Sequence, residues 1–206
     1  MARQSTPVRQ RLLDAGDEVL FVDGSVHTPV DVICRAAGAS PPSLYAHFGN
    51  KHGFLAAALR RRLDVWGGVW QRAIDATDDP VERVLAVFPA LRAYQEEYLR
   101  ERWCAFSATT SAVPDPSPEL EAVLAEERAM LHDRICATVA DLPLTQEVAA
   151  ALVRQVCIAY AGTIVSMLRE PDAPSIAAGE EAARVLAGAA LARPSDEGVR
   201  GATCVG

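Results

Sequence analysis

From Thr28 to Lys51 the chain carries a run of start and stop signals that few folds accept. Thr28-Pro29 opens a helix in which Val30, Ile33 and Ala37 face inward, and Gly38 stops it. Ser40 caps a second helix. Pro41 and Pro42 fill its first turn, where a missing amide hydrogen costs little. Leu44 and Phe48 turn toward a core, which leaves Ser43, Tyr45, Ala46 and His47 nearer the surface. Asn50 then caps a third helix, with Lys51 in its first turn. Two short helices joined by a tight turn form a unit that presents one helix end to the DNA major groove.

Charge supports this where it is local. The chain has 206 residues and a net charge of −7, which by itself would repel DNA. Residues 1–63 hold eight Lys/Arg against five Asp/Glu, a local +3, and the rest carries −10. Only the N-terminal end therefore suits phosphate contact. Half of the residues are hydrophobic, enough for a sizeable core.

The remaining composition mostly excludes. Five widely spaced cysteines (34, 104, 136, 157 and 204) include no Cys-x-x-Cys pair. They read as small buried residues, not as a disulfide frame or a metal site. A redox switch would need Cys34 or Cys104 exposed and acidified. No apolar run reaches a membrane-spanning length, and no signal-peptide pattern precedes the first helix. The expected location is cytoplasmic. No Gly-rich phosphate loop, nucleophile elbow or Glu-x-x-His motif occurs, and three of the four histidines lie in or beside residues 28–51. A helical enzyme is thus the weakest reading, and no cofactor or metal is expected.

Strand patterns are nearly absent and helical spacing recurs throughout. The first helix is expected over 7–22, capped by Thr6, with Val8, Leu12, Ala15 and Val19 on one stripe and Asp23-Gly24 ending it. The helix capped by Asn50 is expected to reach Ala76. It is interrupted at Gly67-Gly68, either for close packing or as a soft point between domains. Asp79-Pro80-Val81-Glu82 is a capping box opening a helix to about Ala108, kinked or divided in two at Pro89. Ser117, Thr145 and Ser175 cap helices over 118–141, 146–169 and 176–193. The last two are antiparallel neighbours across a five-residue link. The tail from 194 looks disordered.

Gly24, Thr28, Ile33-Cys34, Gly38-Ala39-Ser40, Leu44-Tyr45-Ala46-His47-Phe48 and Lys51 together resemble the TetR family of one-component bacterial regulators. The resemblance spans about residues 8–59. Cys34, Gly16 and Leu20 depart from the family's usual residues, and Pro42 departs at the DNA-facing end. The resemblance implies an all-α fold. A three-helix DNA-binding domain would occupy residues 1–52, and a helical ligand-binding and dimerisation domain residues 53–193.

It also implies roles. Ser40, Pro41, Pro42 and Ser43 would lie nearest the bases, where prolines can press on thymine methyls. Tyr45 and His47 would hold phosphates. Lys51 and Thr28 would do the same at helix N-termini. Arg60-Arg61-Arg62 reads instead as a solvated helix face with ion pairs.

In the C-terminal part, Tyr98, Trp103 and Phe106, then Tyr94, Trp66 and Tyr160, are the expected contacts of a small apolar or amphipathic effector, although aromatic stripes are usually core. Small residues on the last two helices (Ala159, Gly162, Thr163; Ala182, Ala183, Ala187, Gly188) suit either packing within the chain or a four-helix homodimer interface. The expectation is a dimeric repressor, released from a pseudopalindromic double-stranded operator by its ligand. The alternative is a regulator of the same fold that senses a partner protein or oxidation.

Overall fold

The computed structural model describes residues 7–22, 24–98, 101, 103–171 and 173–193. Among them the chain is helical without strands. The helices are α1 (Val8–Asp17), α2 (Val30–Ala36), α3 (Pro41–Phe48), α4 (Lys51–Asp75), α5 (Pro80–Leu85), α6 (Val87–Ala93), α7 (Ala105–Ala112), α8 (Pro118–Val139), α9 (Gln146–Arg169) and α10 (Ser175–Leu191). Short π-helical turns follow α1 (Glu18–Val22) and α6 (Tyr94–Tyr98). Thr6, Asp23, Cys204 and the tail from 194 lie outside the described residues.

The chain divides into two compact units: residues 1–65 with 97–127, and residues 66–96 with 128–206. In the first, α1 packs on α2 and α3. Its buried positions are Leu12, Leu13, Gly16, Asp17 and Leu20, a stripe offset from the predicted one, with Val8, Ala15 and Val19 only half-buried. Phe54 of α4 explains the glycine at 16: a Cβ there would sit 2.5 Å from the ring. The Arg60–Arg62 run is not one solvated face. Arg60 pairs with Glu126 and Arg61 with Asp14 and Asp17, but Arg62 is fully buried.

In the second unit, Asp79 caps α5 by accepting from the Val81 and Glu82 amides at 2.8 and 3.1 Å. Glu82 instead pairs with Arg184 of α10. The expected helix over 80–108 is divided. It turns at Ala86, because Pro89 has no amide hydrogen for the Leu85 carbonyl. Its described turns reach Tyr98, and α7 begins at Ala105 in the first unit, its Ser107 amide bonded to the Cys104 sulfur.

Helix α10 packs along α9 and against α5 and α6. Thr163, Ala183 and Ala187 are buried, whereas Gly162, Ala182 and Gly188 are exposed. Ser175 does not cap α10. Pro174 holds that position, and the buried Ser175 hydroxyl has no partner among the described residues.

One further expectation needs correcting. Helix α9 is long and apolar enough, by length and composition, to cross a membrane. Both of its faces are apolar: Val153, Val156, Tyr160 and Ile164 are buried, while Ile158 and Val165 are exposed. Cys34, Cys104 and Cys157 carry free thiols.

Candidate nucleic-acid interface

The α2–turn–α3 unit is held from behind. The last turn of α2 closes with the Ala39 amide on the Cys34 carbonyl at 2.9 Å and the Gly38 amide on the Arg35 carbonyl at 3.2 Å. Gly38 has φ +58°, the left-handed conformation this closure requires and glycine adopts without strain. Arg11 of α1 donates through Nε to the Ala37 carbonyl (3.1 Å) and through Nη2 to the Gly38 carbonyl (3.2 Å). A charged donor thus satisfies two turn carbonyls and ties α1 to the turn.

Helix α3 follows the sequence closely. The Ser40 hydroxyl accepts from the Ser43 amide and lies 3.0 Å from the Ser43 hydroxyl. Pro41 and Pro42 occupy the first two positions. Leu44 is fully buried and anchors the helix, while Phe48 meets the Phe54 ring edge-on at 5.0 Å. Arg9 stands over the other side of the helix end, 5.4 Å from the Phe48 centroid. What remains outside is Ser40, Pro42, Tyr45, Ala46 and His47, with Pro41 and Ser43 half-exposed. Pro42, Tyr45 and Ala46 share one stripe, and Ser43 and His47, one turn apart, form the next.

Thr28 behaves differently from expectation. Its hydroxyl donates to the Val19 carbonyl at 3.0 Å and accepts from the Ser25 amide at 3.3 Å, closing the loop after the first helix. Pro29, not Thr28, is the cap of α2. With its one proton engaged on the Val19 carbonyl, Thr28 acts in this structure as a loop clasp. Lys51 opens α4 beside Asn50, whose side-chain oxygen accepts from the Gly53 amide at 2.9 Å. Half-burial pushes the Lys51 ammonium below its usual value. It lines a cleft of about 230 Å³ with His27, His52, Leu55, Val113 and Asp115. An ammonium partly stripped of water gains more from a phosphate partner than a solvated one does.

The six aromatic candidates fall in two places. Trp66, Tyr94 and Tyr160 belong to one buried cluster in the second unit. Trp66 lies 5.6 Å edge-on from Tyr94 and 6.2 Å from Tyr160, nearly parallel, with Trp70 and Phe88 completing the group. Tyr98 (exposed), Trp103 (half-buried) and Phe106 (buried) lie in the first unit. Arg11 escaped the sequence reading, and Arg62 was read with its neighbours as part of a solvated face. Their partners are distant in sequence, and no local pattern distinguishes a tethering arginine from a solvated one.

Residues 12–58 match the family described as bacterial regulatory proteins, tetR family. The HTH-type transcriptional regulator BetI of Brucella anthropi is 34% identical over 82 residues, 39% of this chain and 42% of that protein, so the match spans less than half of the curated relative. The SCO4454 TetR-family regulator of Streptomyces coelicolor superposes with a TM-score of 0.73 at 21% identity, over 89% of this chain and 96% of that one. A cysteine mutant of the TetR-family regulator CifR, whose structure was solved with 26-bp operator DNA, gives 0.60 at 22%, over 89% and 98%. The fold extends well beyond the matched segment, and these relatives are regulators, not enzymes. Residues 12–58 thus match the bacterial tetR regulatory family, and the helical architecture behind the helix-turn-helix is the fold of solved TetR-family regulators.

Proposed function

We propose that the chain is a dimeric, ligand-responsive repressor that leaves a pseudopalindromic operator when a small apolar or amphipathic molecule binds. The observation that carries the DNA side is the exposed surface of α3: Tyr45, 47% exposed, stands beside Pro42, Ala46 and His47 on a helix anchored by the fully buried Leu44. Ser40, Pro41, Pro42 and Ser43 meet the bases. Tyr45, His47 and Lys51 hold phosphates and set the register without choosing the sequence. Residues 1–52 serve DNA, residues 53–193 serve ligand and dimer, and the protein works in the cytoplasm.

The dimer reading rests on what α9 and α10 leave uncovered. Ile158 is 70% exposed and Val185 61%, with Val165 and Leu191 also outside. A second copy would bury these side chains, and its two-fold axis would present paired recognition helices to half-sites about one DNA turn, ~34 Å, apart. The effector is an apolar or aromatic molecule meeting some of Trp66, Tyr94, Tyr160, Tyr98, Trp103 and Phe106. It acts only through different affinities for the bound and released states.

Oxidation sensing loses ground. Burial and the neighbouring Glu101 and Glu127 charges push the Cys104 thiol up to about 12, and burial raises Cys34 and Cys157. Thiols so placed are poor nucleophiles. A partner-protein signal is the remaining alternative.

The test is selection of genomic fragments by the purified protein, followed by a titration at fixed salt. A pseudopalindrome bound tightly, and lost in the Tyr45→Ala, Lys51→Met double variant, supports the proposal. Binding without sequence preference at moderate salt would overturn it.

A further inference from the structure

Where the start of α4 meets the loop after α7, the first unit holds a cleft of about 230 Å³. Val26 and His27 line it from the loop before α2, Lys51, His52 and Leu55 from α4, and residues 112–115 from the end of α7 and the loop beyond. That loop is fastened in place: the Ser117 amide donates to His52 Nδ1 at 3.1 Å. Val26 and Leu55 are buried, and with Ala112, Val113 and Pro114 they make most of the lining apolar.

The polar groups of the cleft are mostly donors. Among the described residues no carboxylate pairs with the Lys51 ammonium, which is half-buried. His52 holds its ring proton on Nε2, because Nδ1 accepts from Ser117. His27 adds a second imidazole, and Asp115 is the one acid among the lining residues. Asp115 is exposed, so water and salt weaken its repulsion of an anion bound nearby. A half-buried cation without a counter-ion, beside apolar walls, suits a ligand with one negative head and a compact apolar body.

We propose that this cleft is a second effector site, distinct from the aromatic cluster of the second unit, and that it takes a small monocarboxylate. The carboxylate pairs with Lys51 and accepts from an imidazole N–H, and the apolar body lies on Val26, Leu55 and Val113. One ammonium beside Asp115 does not balance two charges, so a dicarboxylate is disfavoured. The bound acid occupies the Lys51 charge that a DNA phosphate would use, so ligand and operator weaken each other's binding. This last step rests on the DNA-binding proposal; the binding of the acid does not.

The experiment uses the full-length chain with benzoate as the probe, benzamide as its neutral isostere and phthalate as the dianion, at fixed pH and ionic strength. Histidine ring signals are followed by proton–carbon NMR without DNA and assigned with His27→Gln and His52→Gln. Benzoate should shift the His27 and His52 signals saturably, with a dissociation constant of the order of 1 mM for so small a ligand, and leave His132 unmoved. Benzamide and phthalate should bind about tenfold more weakly, and Lys51→Met should weaken benzoate by about tenfold. Asp115→Asn should tighten it by about twofold. Saturating benzoate should lower the operator affinity of wild type by about tenfold and that of Lys51→Met by less than about twofold. Benzamide bound as tightly as benzoate, shifts at His132 equal to those at His52, no saturable shift by about 20 mM benzoate, or benzoate binding that survives Lys51→Met overturns the inference. Benzoate that binds as expected but leaves operator affinity unchanged overturns the effector role. If the chain binds no operator in the absence of benzoate, the DNA-binding proposal fails and the ring signals alone decide the cleft.

Discussion

Arg134 donates to the carbonyl oxygen of Gly67 at 2.5 Å. The same guanidinium lies 5.5 Å from the Trp70 ring centroid, one turn along α4. Helix α4 runs unbroken through Gly67-Gly68, and α8 comes close enough there to reach a backbone carbonyl. Of the two readings of the glycine pair, close packing has a partner at Gly67.

The two glycines should respond differently to alanine. At Gly68 a Cβ meets only the Arg72 guanidinium at 3.5 Å, so Gly68→Ala should raise unfolding free energy by about 0.5–1 kcal/mol through helix propensity. At Gly67 a Cβ lies 3.4 Å from both Arg134 Nη2 and Met130 Sδ, and the gain should shrink toward zero. Urea unfolding of both variants checks this; a larger gain at Gly67 contradicts it.

Removing the clasp behind the turn should cost both fold and function. Arg11→Ala strips two carbonyls of a charged donor, and a destabilisation of about 1–3 kcal/mol is expected. Operator affinity should fall as well, although Arg11 is not among the proposed DNA contacts. Thermal unfolding and a binding titration separate the two effects. Unchanged stability would show that the turn holds without it.

Lys51→Met should weaken operator binding similarly at matched and mismatched sites. It should also flatten the plot of log affinity against log salt by about 1.8 per dimer, about 0.9 for the phosphate that each of its two Lys51 side chains neutralises. Tyr45→Phe should keep that slope while reducing affinity if the hydroxyl donates to phosphate. A Lys51→Met slope equal to wild type would remove Lys51 from the interface.

Glu101 should leave its mark on stability. Its carboxyl rises from an ordinary 4.5 to about 7 on folding, chiefly by burial. Between those values the folded chain holds more protons than the unfolded one. Unfolding free energy should therefore fall as pH rises from 4.5 to 7 and level off above, by about 3 kcal/mol. Relative to wild type, Glu101→Gln should lack that fall. Parallel stability curves for the two proteins would contradict the buried titration.

Self-association should depend on the outer faces of the last two helices. Ile158→Glu with Val185→Glu places charge where a second copy would seat, and sedimentation should report monomer with helicity unchanged. A monomeric wild type would remove the dimer proposal. A variant still dimeric would move the interface elsewhere.

The recognition unit was legible in the sequence because its determinants are local. Ser40 capping, prolines at the first two helical positions, inward Leu44 and the left-handed Gly38 each act within a few residues, and each lies where the pattern put it. The all-α class was legible for the same reason: spacing and caps fix helices without reference to partners. Tertiary structure alone decided the rest. A threonine that reads as a cap became a loop clasp because the Val19 carbonyl came within reach. An arginine run that reads as solvent-facing delivered Arg62 to two carboxylates, one 45 and one 39 residues away. Stripes of aromatic residues that look alike in sequence were divided between two compact units. Local preference sets which elements form. Which donor meets which acceptor, and which apolar face stays bare, depends on contacts between residues far apart in the chain, and those the order of residues does not display.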